Sequence, residues 1–194
     1  MNGNRAIEAV WQSPKFRRLY LRRLRTVMDG TLGAPGTPRE ATPFWGYVTT
    51  LLEACAAEDV LDNAKWGYGT GTPIYPWPRE MGMAEGVEDM WNNYVVPRRQ
   101  HLFVTHAVSS PTRGIGYGRD LSAGIPNAQR AWSELRGGLS VEECEGGAVI
   151  RNANDEAIDL TGWTLSGGLA WTLPAGTGVD SVQDGVPGEV FVVT

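Results

Sequence analysis

His101 and His106 are the chain's two histidines, and Cys55 and Cys144 are its two cysteines. A four-ligand zinc site would consume all four. The histidines stand five residues apart, whereas a helical metal pair needs the i, i+4 spacing that puts both imidazoles on one face. Two cysteines cannot build a disulfide framework either. Gly114-Ile115-Gly116-Tyr117-Gly118 has the glycine rhythm of a nucleotide loop, but a phosphate cradle needs a strand before it and an amphipathic helix after it. Neither is readable here, so the run is expected to be a structural loop. Walker, His-Arg-Asp and Asp-Phe-Gly sequences do not occur. No Ser, His and Asp set assembles into a triad, and Asp62, Asp89 and Asp120 read as caps and surface charges. The remaining candidate is Arg18, Arg22 and Arg25, a stripe able to hold phosphate or another anion, as in nucleic-acid binding. The whole-chain charge of −5 counts against nucleic acid, and arginines on a helix also clamp neighbouring elements.

The stretch 13–29 that carries these arginines predicts a helix, with Ser13 as cap, Pro14 at the first helical position and Gly30 as the stop. At about 100° per residue, Phe16, Leu19, Tyr20 and Val27 share one face, and Arg18, Arg22 and Arg25 lie roughly opposite. Arg23 projects into the apolar face, where an unpaired guanidinium is costly. It should therefore be an internal strut, bonded to an acid or to carbonyls. Thr42-Pro43 repeats the cap-then-proline signal and opens a second helix, expected to bury Phe44, Val48, Leu51, Leu52 and, as a small core residue, Cys55. A short helix through Val60, Leu61 and Trp66 follows, then a loop over 67–78 rich in Gly, Pro and aromatics. A third helix covers about 83–96 with Val87, Met90, Trp91 and Tyr94 on one face. Pro97 interrupts it and begins a further helix through Arg98, Arg99, Leu102 and Phe103.

Residues 109–127 are polar and glycine-rich, the composition of a linker. Beyond them the apolar runs shorten to strand length, at 148–150, 157–160, 163–165, 169–173 and 190–193. Runs of that length separated by turn residues predict a β-sandwich or barrel. The expected fold class is α+β, with a helical segment over 1–107, a linker over 108–130 and a β-sandwich over 131–194. Charge is divided in the same sense, since residues 1–29 balance to +5 and residues 120–194 to −8. The 194 residues give room for one ordinary domain or two small ones, and 25 Gly with 12 Pro imply many loops. No apolar run nears the roughly 18 residues of a membrane span, and the opening MNGNRAIEAV lacks the apolar core of a signal peptide.

The stretch 148–178, AVIRNANDEAIDLTGWTLSGGLAWTLPAGTG, resembles the lamin-tail domain, an immunoglobulin-like β-sandwich. That family's pattern is a strand ending in Asn, an acidic turn, Asp-Leu-x-Gly-Trp-x-Leu, an apolar strand and Pro-x-Gly-Thr. It falls on Asn152, Asp159, Leu160, Gly162, Trp163, Leu165, Trp171, Pro174, Gly176 and Thr177. Residues 13–29, the Ala64-Lys65-Trp66-Gly67 element and the 94–103 stretch with Arg98 and Arg99 resemble the C-terminal helical part of the spore-coat CotH kinase family. Larger members of that family carry a lamin-tail domain after the kinase, joined by a segment like Ile125-Pro126-Asn127-Ala128-Gln129.

The CotH fold resembles a protein kinase, and the resemblance places its ATP-, metal- and catalytic-site residues before residue 1. No catalytic, cofactor-binding or metal-binding residue is therefore expected in this chain, ATP and Mg²⁺ being cofactors of a longer parent. The resemblance implies a kinase-like C-lobe remnant followed by a lamin-tail sandwich, a non-catalytic interaction or structural fragment whose partner is another protein or the upstream kinase region. Two alternatives stand beside it. One is the C-lobe portion of an ATP-dependent protein kinase, and the other is nucleic-acid binding through the Arg-rich helix 14–29. The resemblance also implies a secreted or cell-surface protein. Two departures touch the sandwich: the stretch before Ala148 lacks the family's acidic Glu-Tyr-Ile-Glu-like strand, and further strands would be needed after Thr194. On that reading Val190 to Val193 is an exposed apolar edge.

Overall fold

The computed structural model describes residues 5–66, 82–110, 124–167 and 170–193. The 67–78 loop, the 114–118 glycine run and Asp120 lie outside the described residues. Contacts divide the chain into two compact units, Met1–Val27 with His106–Thr194 and, separately, Met28–Thr105. The first helices thus group with the strands, a division that differs from the helix-then-strand boundaries expected at 107 and 131.

Helices α1 (Arg5–Gln12) and α2 (Pro14–Thr31) open the chain. Pro14 begins α2 as the Ser13-Pro14 pair predicts, and the Arg17 N–H donates to the Ser13 carbonyl at 3.0 Å. Its stop is not Gly30 but Gly33, which takes a φ of +67° and whose N–H donates to the Met28 carbonyl at 3.2 Å.

In the Met28–Thr105 unit, α3 (Pro43–Trp66) starts on the buried Thr42. The Thr42 hydroxyl accepts from the Trp45 N–H at 3.3 Å and donates to the Arg39 carbonyl at 2.7 Å. Two helices were expected over this range, but nothing between Tyr47 and Trp66 is a Gly or Pro, and the helix runs unbroken. Its buried side also differs from the expected one. Trp45 takes the core position with Trp91 and Val95, Phe44, Val48 and Leu52 are half-buried, and Leu51, Cys55, Val60 and Leu61 are exposed. Downstream, α4 (Met83–Met90), a π turn (Trp91–Val95), α5 (Val96–Gln100) and a second π turn (His101–Thr105) form one continuous helical run. Pro97 therefore does not interrupt it. The ring has no N–H to donate, and it follows a widened turn in which the Val96 N–H reaches back five residues to the Trp91 carbonyl. That turn also swings the expected Tyr94 outward and puts Val95 inside, 65% and 3% exposed respectively.

In the other unit, α6 (Trp132–Leu135) and a 3₁₀ turn (Arg136–Gly138) precede β1 (Leu139–Cys144), β2 (Gly147–Asn152), β3 (Ile158–Asp159), β4 (Thr164–Leu165), β5 (Trp171–Thr172), β6 (Gly178–Val179) and β7 (Gly188–Val193). β1, β2 and β7 form an antiparallel sheet in the order β1-β2-β7, with Ile150 opposite Val141 on one side and Val190 on the other. β3 pairs with β6 and β4 with β5, both antiparallel. A strand, β1, precedes Ala148 and carries Glu142 and Glu143, although its sequence Leu-Ser-Val-Glu-Glu-Cys is not the Glu-Tyr-Ile-Glu-like one of the resemblance. A turn with Gly146 at a φ of +80° folds it back onto β2. Leu135, Ile150, Ile158, Leu160, Leu173, Val179 and Val192 make the core. In β7 the strand alternation buries Val192 and leaves Phe191 53% exposed. The expected apolar edge is thus only partly an exposed one, though among the described residues the strand's outer edge pairs with no other strand. The chain is α+β, helices first and antiparallel strands after.

Candidate functional site

Helix α2 turns its arginines inward. Phe16, Tyr20 and Val27, expected to face a core, are exposed, whereas Leu21 and Arg22 are 4% and 3% exposed. The elements it meets within its own unit explain the reversal, because they present carboxylates and carbonyls. Arg18 forks onto Asp180, Nε to Oδ1 at 2.8 Å and Nη2 to Oδ2 at 2.6 Å. One turn on, Arg22 donates to the Ala157 carbonyl at 2.7 Å, the Asn127 carbonyl at 2.8 Å and Glu156 Oε2 at 2.5 Å. Arg25 donates to the Pro126 carbonyl at 3.0 Å. The stripe proposed from spacing to hold an external anion thus has internal partners. The strut expected at Arg23 is present, with Nη1 2.9 Å from Asp159 Oδ2 and 3.1 Å from the Thr161 hydroxyl, but the more deeply buried strut is Arg22. Leu19 packs where β6 has no side chain, since a Cβ added at Gly178 would lie 3.3 Å from it.

The lamin-tail-like positions lie in the same unit, some at this docking face and some in the strand core. Asn152 is 0% exposed and saturates its amide. Its Nδ2 donates to the Glu156 and Asp180 carbonyls, each at 2.8 Å, and its Oδ1 accepts from the Asn154 N–H at 2.9 Å and from Asn154 Nδ2 at 2.8 Å. Asp159 is bracketed by Gln129, which accepts from its N–H at 2.7 Å and donates to its carbonyl at 3.2 Å. Leu160 is in the core. Gly162 and Gly176 adopt φ of +75° and +86°, and the Gly176 N–H donates to the Thr161 hydroxyl at 3.0 Å. Pro174 offers its carbonyl to the Thr177 N–H and hydroxyl at 3.2 and 2.9 Å. Trp163 packs on the core and meets Trp132 edge-on, ring centroids 5.3 Å apart.

Electrostatics follow from the pairing. Burial works to raise the Asp159 carboxyl, but hydrogen bonds from Thr161, Arg23 and Thr26 together outweigh it and hold the group below its ordinary value. The Arg18 guanidinium is shifted upward by its hydrogen bond to Asp180. A carboxylate locked ionised in this way is poorly matched to proton transfer near neutral pH. Beside the arginines, a cleft of about 380 Å³ is lined by Arg17, Arg18, Arg22, Glu156, Pro126 and Ser181, among others. Among the described residues, no group of three or more His, Cys, Asp or Glu is placed to hold a metal ion.

In the Met28–Thr105 unit the CotH-like Arg99 serves a different end. Arg99 is 5% exposed. It donates from Nε to the Gly33 carbonyl at 3.0 Å and from Nη2 to the Thr37 carbonyl at 2.9 Å and the Ala34 carbonyl. Its guanidinium lies 5.4 Å from the Trp91 ring centroid, and burial lowers its pKa. Arg98 is exposed. Trp66 ends α3, and its side chain lies outside the described residues.

Sequence reasoning missed Asp180, Glu156 and Gln129. The opposed charge of the two ends was the available signal, since a basic helix needs acidic partners somewhere. Compared with protein-family models, curated proteins and solved structures, the chain matches none.

Proposed function

We propose that the chain is a non-catalytic interaction or structural module of the CotH-kinase and lamin-tail kind, its strands forming an immunoglobulin-like sandwich. The observation that carries this reading is the use to which its charged groups are put. Arg18, Arg22 and Arg23 meet Asp180, Glu156 and Asp159 inside one unit, so the residues that could have done chemistry hold a helix on strands instead. The place of Asp159 at that docking face, of Asn152 beneath the Glu156 and Asp180 carbonyls, and of Leu160 and Trp163 in and against the strand core supports the lamin-tail likeness. Its partner would be another protein or an upstream kinase region, in a secreted or cell-surface setting. No helix among the described residues is long and apolar enough to cross a membrane.

A phosphotransfer assay with ATP and Mg²⁺ on this chain tests the assignment. The expected rate equals that of a buffer control. Sustained turnover would overturn the reading in favour of the kinase-lobe alternative. Salt-sensitive retention on nucleic acid, lost on replacing Arg18, Arg22 and Arg25 together with no change in folding, would favour the other alternative.

A further inference from the structure

Glu143 stands on the inward side of its strand. Residues opposite each other in an antiparallel pair share a face of the sheet. Val141 lies opposite Ile150, and Glu143 lies opposite Ala148. Ile150 and Ala148 are buried, 3% and 9% exposed, yet Val141 is 54% exposed and Glu143 is exposed too. The core-facing side of β1 is thus open at these positions. Between the β1–β2 and β4–β5 hairpins lies a cleft of about 310 Å³, walled by Val141, Ala148, Leu165 and the half-buried Trp171, with Cys144 beside them. Among the described residues that line it, Glu143 is the one that carries a charge. Its carboxylate has no hydrogen-bond or ion-pair partner among the described residues, whereas Glu142, on the opposite face, is bound by Arg151. An inward strand position ordinarily holds an apolar side chain. A carboxylate there, beside apolar walls and an indole, suits a cation carried on an apolar stem.

The same strand supplies a way to deliver that cation. β1 is an edge of its sheet and pairs only with β2 among the described residues, so its outer backbone groups are open to an added strand. A residue opposite Glu143 on such a strand would direct its side chain to the same face, over the cleft. We infer that β1 and this cleft dock an extended segment of a protein partner, with an arginine of that segment opposite Glu143. The planar guanidinium suits both the carboxylate and the indole of Trp171, which an ammonium serves less well. This site shares no residue with the contact between α2 and the strands, and turnover with ATP would leave the inference standing.

The test uses the full chain and the blocked peptide Val-Thr-Arg-Thr-Val, whose alternation sets the arginine between two valines on one face, with versions carrying lysine or citrulline in the arginine's place. Fluorescence anisotropy of the labelled peptides gives their affinities. The arginine peptide is expected to bind at least about tenfold more tightly than the citrulline peptide, with lysine between them, and to weaken as salt rises. Glu143→Gln should remove most of that preference, and Glu142→Gln should leave it. In a Cys55→Ser background, where Cys144 is the one remaining thiol, bound peptide should slow the alkylation of Cys144. Circular dichroism checks that these substitutions leave folding intact. Equal affinity for the arginine and citrulline peptides would overturn the inference, as would no binding of either. Equal losses from the two glutamate substitutions would assign the attraction to general negative charge. A Glu143→Gln chain that binds as before but self-associates would make Glu143 a guard against edge pairing, and either of these results overturns the inference as well.

Discussion

Arg18 and Asp180 meet in a two-point fork, with bonds of 2.8 and 2.6 Å joining residues 162 positions apart. The Arg18 side chain is 33% exposed and that of Asp180 only 5%. The planar guanidinium matches both carboxylate oxygens at once, which an ammonium cannot do. Arg18→Ala leaves a buried carboxylate with one fewer cation and should cost about 1–3 kcal/mol. Arg18→Lys should recover only part of this. Urea midpoints at unchanged m-value measure both.

Arg22 should matter more. Its side chain is 4% exposed, and it serves two carbonyls as well as Glu156. Removing it from a buried pair should cost about 3–5 kcal/mol. Arg25→Ala, which removes a hydrogen bond to the Pro126 carbonyl, should cost less. A denaturation series in which Arg22→Ala proves the milder change would contradict the placement of this helix.

Asp159 gives the fold an acid limit. Its folded carboxyl lies below the ordinary range because Thr161, Arg23 and Thr26 hydrogen-bond the ionised form. The folded protein therefore binds this proton less readily than the unfolded chain does. The resulting stability is complete above the unfolded value of about 4 and is lost as pH falls through the lower folded value. Stability measured down the acid range should show this loss in the parent and a shallower fall in Asp159→Asn, which starts from lower stability at pH 7.

Gly188 tests the close approach of two backbones. A Cβ built there would sit 2.1 Å from the Asp180 carbonyl oxygen, and neither group is a flexible side-chain end. Gly188→Ala should shift β7 and cost about 1–3 kcal/mol. Gly146→Ala meets no atom within 4 Å but must hold a φ of +80°, so its cost of roughly 1–2 kcal/mol is purely conformational. Thermal midpoints of the two variants should separate crowding from backbone strain.

Local signals were legible where the chain answers to its near neighbours. Ser13-Pro14 and Thr42-Pro43 mark real helix starts, and Gly162 and Gly176 stand at turns that need a positive φ. The burial of α2 was not legible. Periodicity points to Phe16, Tyr20 and Val27, but the carboxylates that draw the opposite face inward stand more than 130 positions away in sequence. Cys55 failed as a core residue for a similar reason, since composition cannot show which length of a long helix finds a neighbour. The widened turns near Pro97 were illegible because proline normally announces a break.

Those turns have a consequence for how α4 and α5 count residues. The buried positions Trp91, Val95, Arg99 and Phe103 recur every four residues. In an unbroken α-helix a four-residue step overshoots a full revolution by about 40°, so the inward line would drift around the axis and carry Arg99 off the carbonyls of Gly33, Ala34 and Thr37. The wide turns take up that excess and keep the line straight. The run therefore works as a phase corrector, holding one residue more than an α-helix needs for the same rotation. Deleting one residue between Trp91 and Val95 would let that turn close as ordinary α-helix, and Arg99 would turn by well under the roughly 100° that the same deletion imposes on an unbroken α-helix.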